Sequence, residues 1–206
     1  MKARRIAAAM TTLLLLGGAT ACSTASPGDA AVVGDTRISE SEIGAQMASL
    51  NEAVGQPVDT PSPELARTLV SYNVGYALIG ATADALAVKV PPSQLDLVYG
   101  QQLEQVGGEE ALRQAAAQQG VPPVNLRRDL ETQLLATAIV QKVAPGGDPA
   151  AGQQLLIDEV RKVAESVDVE VAPKYGVWDN EMLQIVPDPD PVSRSPEQPA
   201  PALPMP

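Results

Sequence analysis

The sequence predicts a mainly α-helical domain of several helices, with a small β-sheet that pairs the domain's two ends. Three observations carry that prediction. Apolar residues recur at spacings of three and four through most of the chain. Pro and Gly clusters cut this pattern into helix-length pieces. Two β-prone segments, residues 31–38 and 167–171, flank the helical part. With 45% hydrophobic and 19% charged residues, the composition is that of one folded domain and not of a disordered chain.

At the N-terminus, Lys2, Arg4 and Arg5 precede an apolar run over residues 6–16, then small residues and Cys22. This is the order of a secretory signal, and its apolar core is shorter than the roughly 20 residues of a spanning helix. Ala19-Thr20-Ala21-Cys22 resembles the bacterial lipobox, a small-residue triplet ending in a lipid-modified cysteine, with Ala19 in place of the commoner leucine. The competing reading is an ordinary cut after Ala21 that leaves a free thiol. Cys22 is the chain's single cysteine, which favours lipidation and excludes an internal disulfide, a CxxC pair and a thiolate metal cage. Residues 1–21 are thus expected to be removed. Residues 22–30 are expected to form a polar tether from lipid to domain, and an outer membrane face is the expected location.

Within the domain, expected over residues 31–180, Gly34-Asp35 turns a hairpin. Ser39-Glu40-Ser41-Glu42 then fits a capping box that opens a first helix with Ile43, Met47, Leu50 and Val54 on one face. A second, long helix starts at Ser62-Pro63. It carries two apolar stripes, one through Leu65, Leu69, Tyr72, Tyr76 and Ile79, the other through Val70, Val74 and Ala77, and is expected to be the hub, ending at Pro91-Pro92. Ser93 is positioned to cap a third helix that Gly107-Gly108 stops. A fourth covers residues 109–119, a fifth residues 124–143, and a last one starts at Pro149. Residues 167–171 alternate apolar and charged, so they need a strand partner, and the hairpin at residues 31–38 is the available one. Past Trp178 periodicity is lost, and residues 181–206 read as a Pro-rich disordered or polyproline tail.

The chain has 14 basic and 25 acidic residues; without residues 1–21 the bases fall to 11, a balance of −14. Such a field disfavours nucleic acid and attracts basic partners. The absence of histidine removes the usual general base, nucleophile activator and metal ligand at once. No catalytic residues, metal or cofactor are therefore expected, and the acid pairs Glu109-Glu110 and Asp188/Asp190 read as a helix first turn and a solvated tail.

The order of these segments resembles the N-terminal chaperone domain of the SurA family, itself similar to the peptide-binding arms of trigger factor. The resemblance rests on residues 31–39 leading into the first helix, on residues 107–112 running to Gln119-Gly120-Val121, and on Val169-Glu170-Val171-Ala172-Pro173-Lys174-Tyr175-Gly176-Val177-Trp178. That last run is similar to the closing strand of actinobacterial SurA-like lipoproteins, with Ala172 and Lys174 replacing the frequent Asn and Arg. In full-length relatives a parvulin isomerase domain separates the last two helices, whereas here residues 144–148 join them directly. The resemblance implies ATP-independent holding of unfolded or extended polypeptides outside the cytoplasm, without isomerase activity. A dedicated adaptor that uses the same helical cradle for one partner is the other reading. Candidate client contacts are Met47, Leu50, Tyr72, Tyr76, Tyr99, Tyr175 and Trp178. On a regular helical stripe such residues belong first to the core. Tyr175 and Trp178 lie outside any helix, and for them core packing and client contact stand level.

Overall fold

Strand β1 (Asp29–Val33) is buried along nearly its whole length because it lies in the middle of a three-stranded antiparallel sheet. The Gly34-Asp35 turn folds β2 (Thr36–Ser39) back onto one side, with Val33 opposite Thr36. Strand β3 (Val169–Val171) lies on the other side, with Ala31 opposite Val171. The two ends of the helical part meet here, as the alternation at residues 167–171 predicts. The computed structural model describes residues 26–188. The expected signal segment, Cys22 and most of the Pro-rich tail fall outside those residues.

Six α-helices connect the sheet's ends: α1 (Glu40–Ala53), α2 (Pro63–Ala85), α3 (Pro92–Val106), α4 (Glu109–Gln118), α5 (Leu126–Val143) and α6 (Pro149–Ser166). Their starts follow local chemistry. The Ser39 hydroxyl accepts from the Glu42 amide at 3.1 Å, the Ser62 hydroxyl from the Leu65 amide at 3.3 Å, and the Asp148 carboxylate from the Ala150 amide at 3.2 Å. Only half of the expected capping box forms, since the Glu42 carboxylate turns to Arg128 on α5. Ser93 is not a cap either. α3 starts one residue earlier, on Pro92, whose missing amide hydrogen costs nothing at that position.

Helix α2 is the hub, packing on α1, α5, α6 and the strands around it. Leu69, Val70, Val74 and Leu78 fill the core with Ile38, Ile43, Ile139, Leu156 and Val160. It stops at Ala85, six residues before the expected proline break. Val88 N–H donates to Ala83 O at 2.7 Å and Ala87 N–H to Asp84 O at 3.0 Å, a Schellman closure with Ala87 at φ +50° where glycine is usual. Val88 is buried beside it, and that burial offsets the strain of a left-handed alanine.

The ordered chain also runs past residue 180. Strands β4 (Val177–Asp179) and β5 (Gln184–Val186) form a second hairpin, and Ile185 is buried in the core. The tail boundary expected at residue 181 is thus corrected to the C-terminal side of Val186, and the tether boundary at residue 30 to the N-terminal side of Asp29. Gly176 makes the second hairpin possible. At φ +119°, a Cβ there would lie 2.2 Å from the Val186 carbonyl oxygen. No helix among the described residues is long and apolar enough to cross a membrane.

Candidate functional site

The chemistry outside the core gathers at the start of α5. Pro122 and Pro123 are buried and lead into a 3₁₀ turn (Pro123–Asn125), whose Val124 amide donates to the Ser49 hydroxyl of α1 at 3.3 Å. With the turn fixed, Arg127, Arg128 and Asp129 project about 100° apart around the helix, and each meets a different neighbour. Arg127 pairs with Asp96 of α3 and stands 5.0 Å from the centre of the Tyr99 ring. Arg128 reaches inward to Glu42 at 2.8 Å and the Asn73 amide oxygen at 3.0 Å, and lies 5.2 Å from the Tyr76 ring centre. Asp129 accepts from the Tyr76 hydroxyl at 2.9 Å and from the Gln133 amide at 2.7 Å.

Beneath Arg128 lies a small polar core. Asn73, fully buried, donates to the Gln46 amide oxygen at 2.8 Å and to the Leu69 carbonyl at 2.7 Å, while its own oxygen accepts from Gln46 at 3.2 Å. Every buried side-chain nitrogen and oxygen among the described residues has a partner, so the network ties α1, α2 and α5 without an orphaned group. The Tyr76 hydroxyl is pushed well above the usual tyrosine range, first by burial and then by the charge and hydrogen bond of Asp129; Arg128 opposes part of that shift.

Beside Asp129, helices α3, α4 and α5 bound an open groove of about 320 Å³. Its lining is mixed, with Val106, Leu112, Val121 and Leu126 supplying aliphatic surface and Gln102, Gln105, Gln119 and Gln133 supplying side-chain amides. Among the described residues no lysine or arginine lines it. Helix α3 has no buried residue at all, and Leu97 on it is 61% exposed. Helix α3 is therefore an arm resting on α4 and α5, whereas α4 packs on α1 and places Ala117 in the core.

The residues singled out in the sequence separate into three groups. Leu50 is 5% exposed and lies in the core, and Tyr175 is 6% exposed. The Tyr175 hydroxyl donates to Glu40 at 2.7 Å, which fastens the β3–β4 loop to the start of α1. Of the two alternatives the sequence offered for them, core packing and client contact, the structure shows core packing for both Leu50 and Tyr175. Met47 and Trp178 are half-buried against the core. Tyr72, 44% exposed, lies one turn before the half-buried Tyr76, and Tyr76 and Tyr99 are both drawn to the first turn of α5. Arg127, Arg128, Asp129 and the four glutamines were missed. The available signal was the Arg-Arg-Asp triplet at residues 127–129, separated by three residues from the Pro122-Pro123 break.

No protein-family model matches the chain, and neither a curated protein nor a solved structure does. Among the described residues no three His, Cys, Asp or Glu side chains are grouped to hold a metal ion.

Proposed function

We propose that this chain is a lipid-anchored extracytoplasmic chaperone that holds extended or partly folded polypeptides without ATP, in the manner of the SurA-type N-terminal domain that its sequence resembles. The observation that carries the reading is helix α3, which buries no residue yet bounds an open groove with α4 and α5. The aliphatic part of the lining gives a sequence-tolerant driving force for apolar side chains, and the side-chain amides beside it complement a peptide main chain, which carries one donor and one acceptor per residue. The volume is at the small end of the roughly 300–1,000 Å³ typical of ligand sites, which suits a short extended segment better than a folded surface. Lipid on Cys22 would hold this groove near the membrane where exported chains emerge.

The test is suppression of aggregation for several unrelated chemically denatured proteins by the chain lacking residues 1–21. Substoichiometric to equimolar protection across the set, without nucleotide, is the expected result. Protection of none of them, alongside stoichiometric capture of one envelope protein, would establish the adaptor reading instead.

A further inference from the structure

The groove on α3, α4 and α5 has a charge character that the chaperone reading alone does not require. Among the described residues that line it, Asp129 carries the single ionisable group, and no lysine or arginine lies beside it in the lining. The nearest arginines are engaged elsewhere, Arg127 with Asp96 and Tyr99, Arg128 with Glu42 and Asn73. One Asp129 oxygen is taken by the Tyr76 hydroxyl; the other is held only by the neutral amide of Gln133. That second oxygen is the exchangeable one. A charge-assisted bond from an ammonium or guanidinium is roughly twice as strong as one from an amide, so a cationic side chain displaces Gln133. The side-chain amides of Gln102 and Gln105, meanwhile, make no hydrogen bond among the described residues, and both residues line the groove from α3.

We propose that the groove selects extended polypeptide segments bearing a lysine or arginine, with that cation on Asp129 and the client's main chain on Gln102, Gln105 and the released Gln133. The proposal rests on the chaperone reading and narrows its clients. Tyr76 acts as a positioning residue, since its hydroxyl holds the carboxylate toward α3 and α4 while Arg128 braces its ring. The balance of −14 without residues 1–21 adds a long-range attraction for such clients, which salt screens. An anionic ligand finds neither a free cation nor a favourable field here.

Three fluorescein-labelled peptides of one apolar sequence, carrying Lys, Gln or Glu at the central position, separate the outcomes by fluorescence anisotropy. The Lys peptide is expected to bind about tenfold more tightly than the Glu peptide, with Gln between them. Asp129→Asn, which keeps the shape and an acceptor for Tyr76, should abolish the order, whereas Glu131→Gln, one exposed carboxylate removed outside the groove, should preserve it. Circular dichroism of both variants checks that they fold. Equal binding of all three peptides would overturn the cation preference while leaving the chaperone reading intact. An equal loss of preference in both variants would reduce it to diffuse charge and overturn the role of Asp129. Binding of none of the peptides would count against the chaperone reading itself.

Discussion

Replacing Asn73 by leucine tests whether the polar core under Arg128 fixes the site. Asn73 is fully buried and is the partner of both polar atoms of the Gln46 amide, itself 1% exposed. In Asn73→Leu the Gln46 oxygen loses its donor, and its nitrogen keeps only Glu42 at 3.4 Å. An unsatisfied buried amide costs about 1–3 kcal/mol. Leucine's better helix propensity returns a few tenths. The expected loss is about 2 kcal/mol, or a fall in Tm of about 4–8 °C for a domain of this size. Replacing both partners by apolar groups of similar shape is nearly neutral, so Gln46→Leu/Asn73→Leu should recover most of the loss. Urea titrations of the four proteins in a double-mutant cycle should give a coupling of about 1–2 kcal/mol. A single variant within about 0.5 kcal/mol of the parent, or a double variant equal to the sum of the singles, would refute the claim that this pair acts as one unit.

Three further outcomes follow from the same geometry. Gly176→Ala should cost at least about 2 kcal/mol through backbone strain and the contact with Val186 O, and should shift the emission of Trp178, the single tryptophan, to the red; an unchanged spectrum and midpoint would mean the β4–β5 hairpin does not need glycine there. Because burial and carboxylate neighbours raise Tyr76 and Tyr175 above the ordinary tyrosine value, their contribution to stability is complete below a pH of about 10 and is lost as pH rises further. Unfolding midpoints should therefore be level near neutrality, where no histidine titrates, and the advantage of the parent over Tyr76→Phe should shrink in alkali; a constant advantage up to pH of about 12 would contradict the Tyr76–Asp129 bond. Cys22→Ser should release the chain from the membrane fraction or leave its precursor uncut, and an unchanged fractionation would remove the anchor from the account.

Helix starts and the meeting of the sheet's ends were legible in the sequence because single residues dictate them. Ser39 and Ser62 do form caps, and the alternation at residues 167–171 needed an edge that β1 supplies. The end of α2 was not legible, since its turn is closed by Ala87 and not by glycine, and what offsets this is the burial of Val88 in the core. Strands β4 and β5 are three residues each, too short for a period-two pattern to stand out, and their pairing depends on the close approach at Gly176. The site was less legible than the fold. Large apolar and aromatic residues drew attention to Leu50 on a helical stripe and to Tyr175 outside the helices as well as to Tyr72, Tyr76 and Tyr99, and periodicity cannot tell an inward stripe from one facing an arm. The Arg127–Asp96 and Arg128–Glu42 pairs join residues 31 and 86 positions apart, a separation no local pattern encodes.

The most direct test of the central claim places a photoreactive residue at Gln105, inside the groove, and at Gln141, on α5 outside it. Each protein is illuminated with three unrelated unfolded clients. The account predicts crosslinks from Gln105 to all three clients and few from Gln141, with peptides of the same clients competing. Crosslinks of equal strength from both positions, or none from Gln105, would show that the groove is not where clients are held.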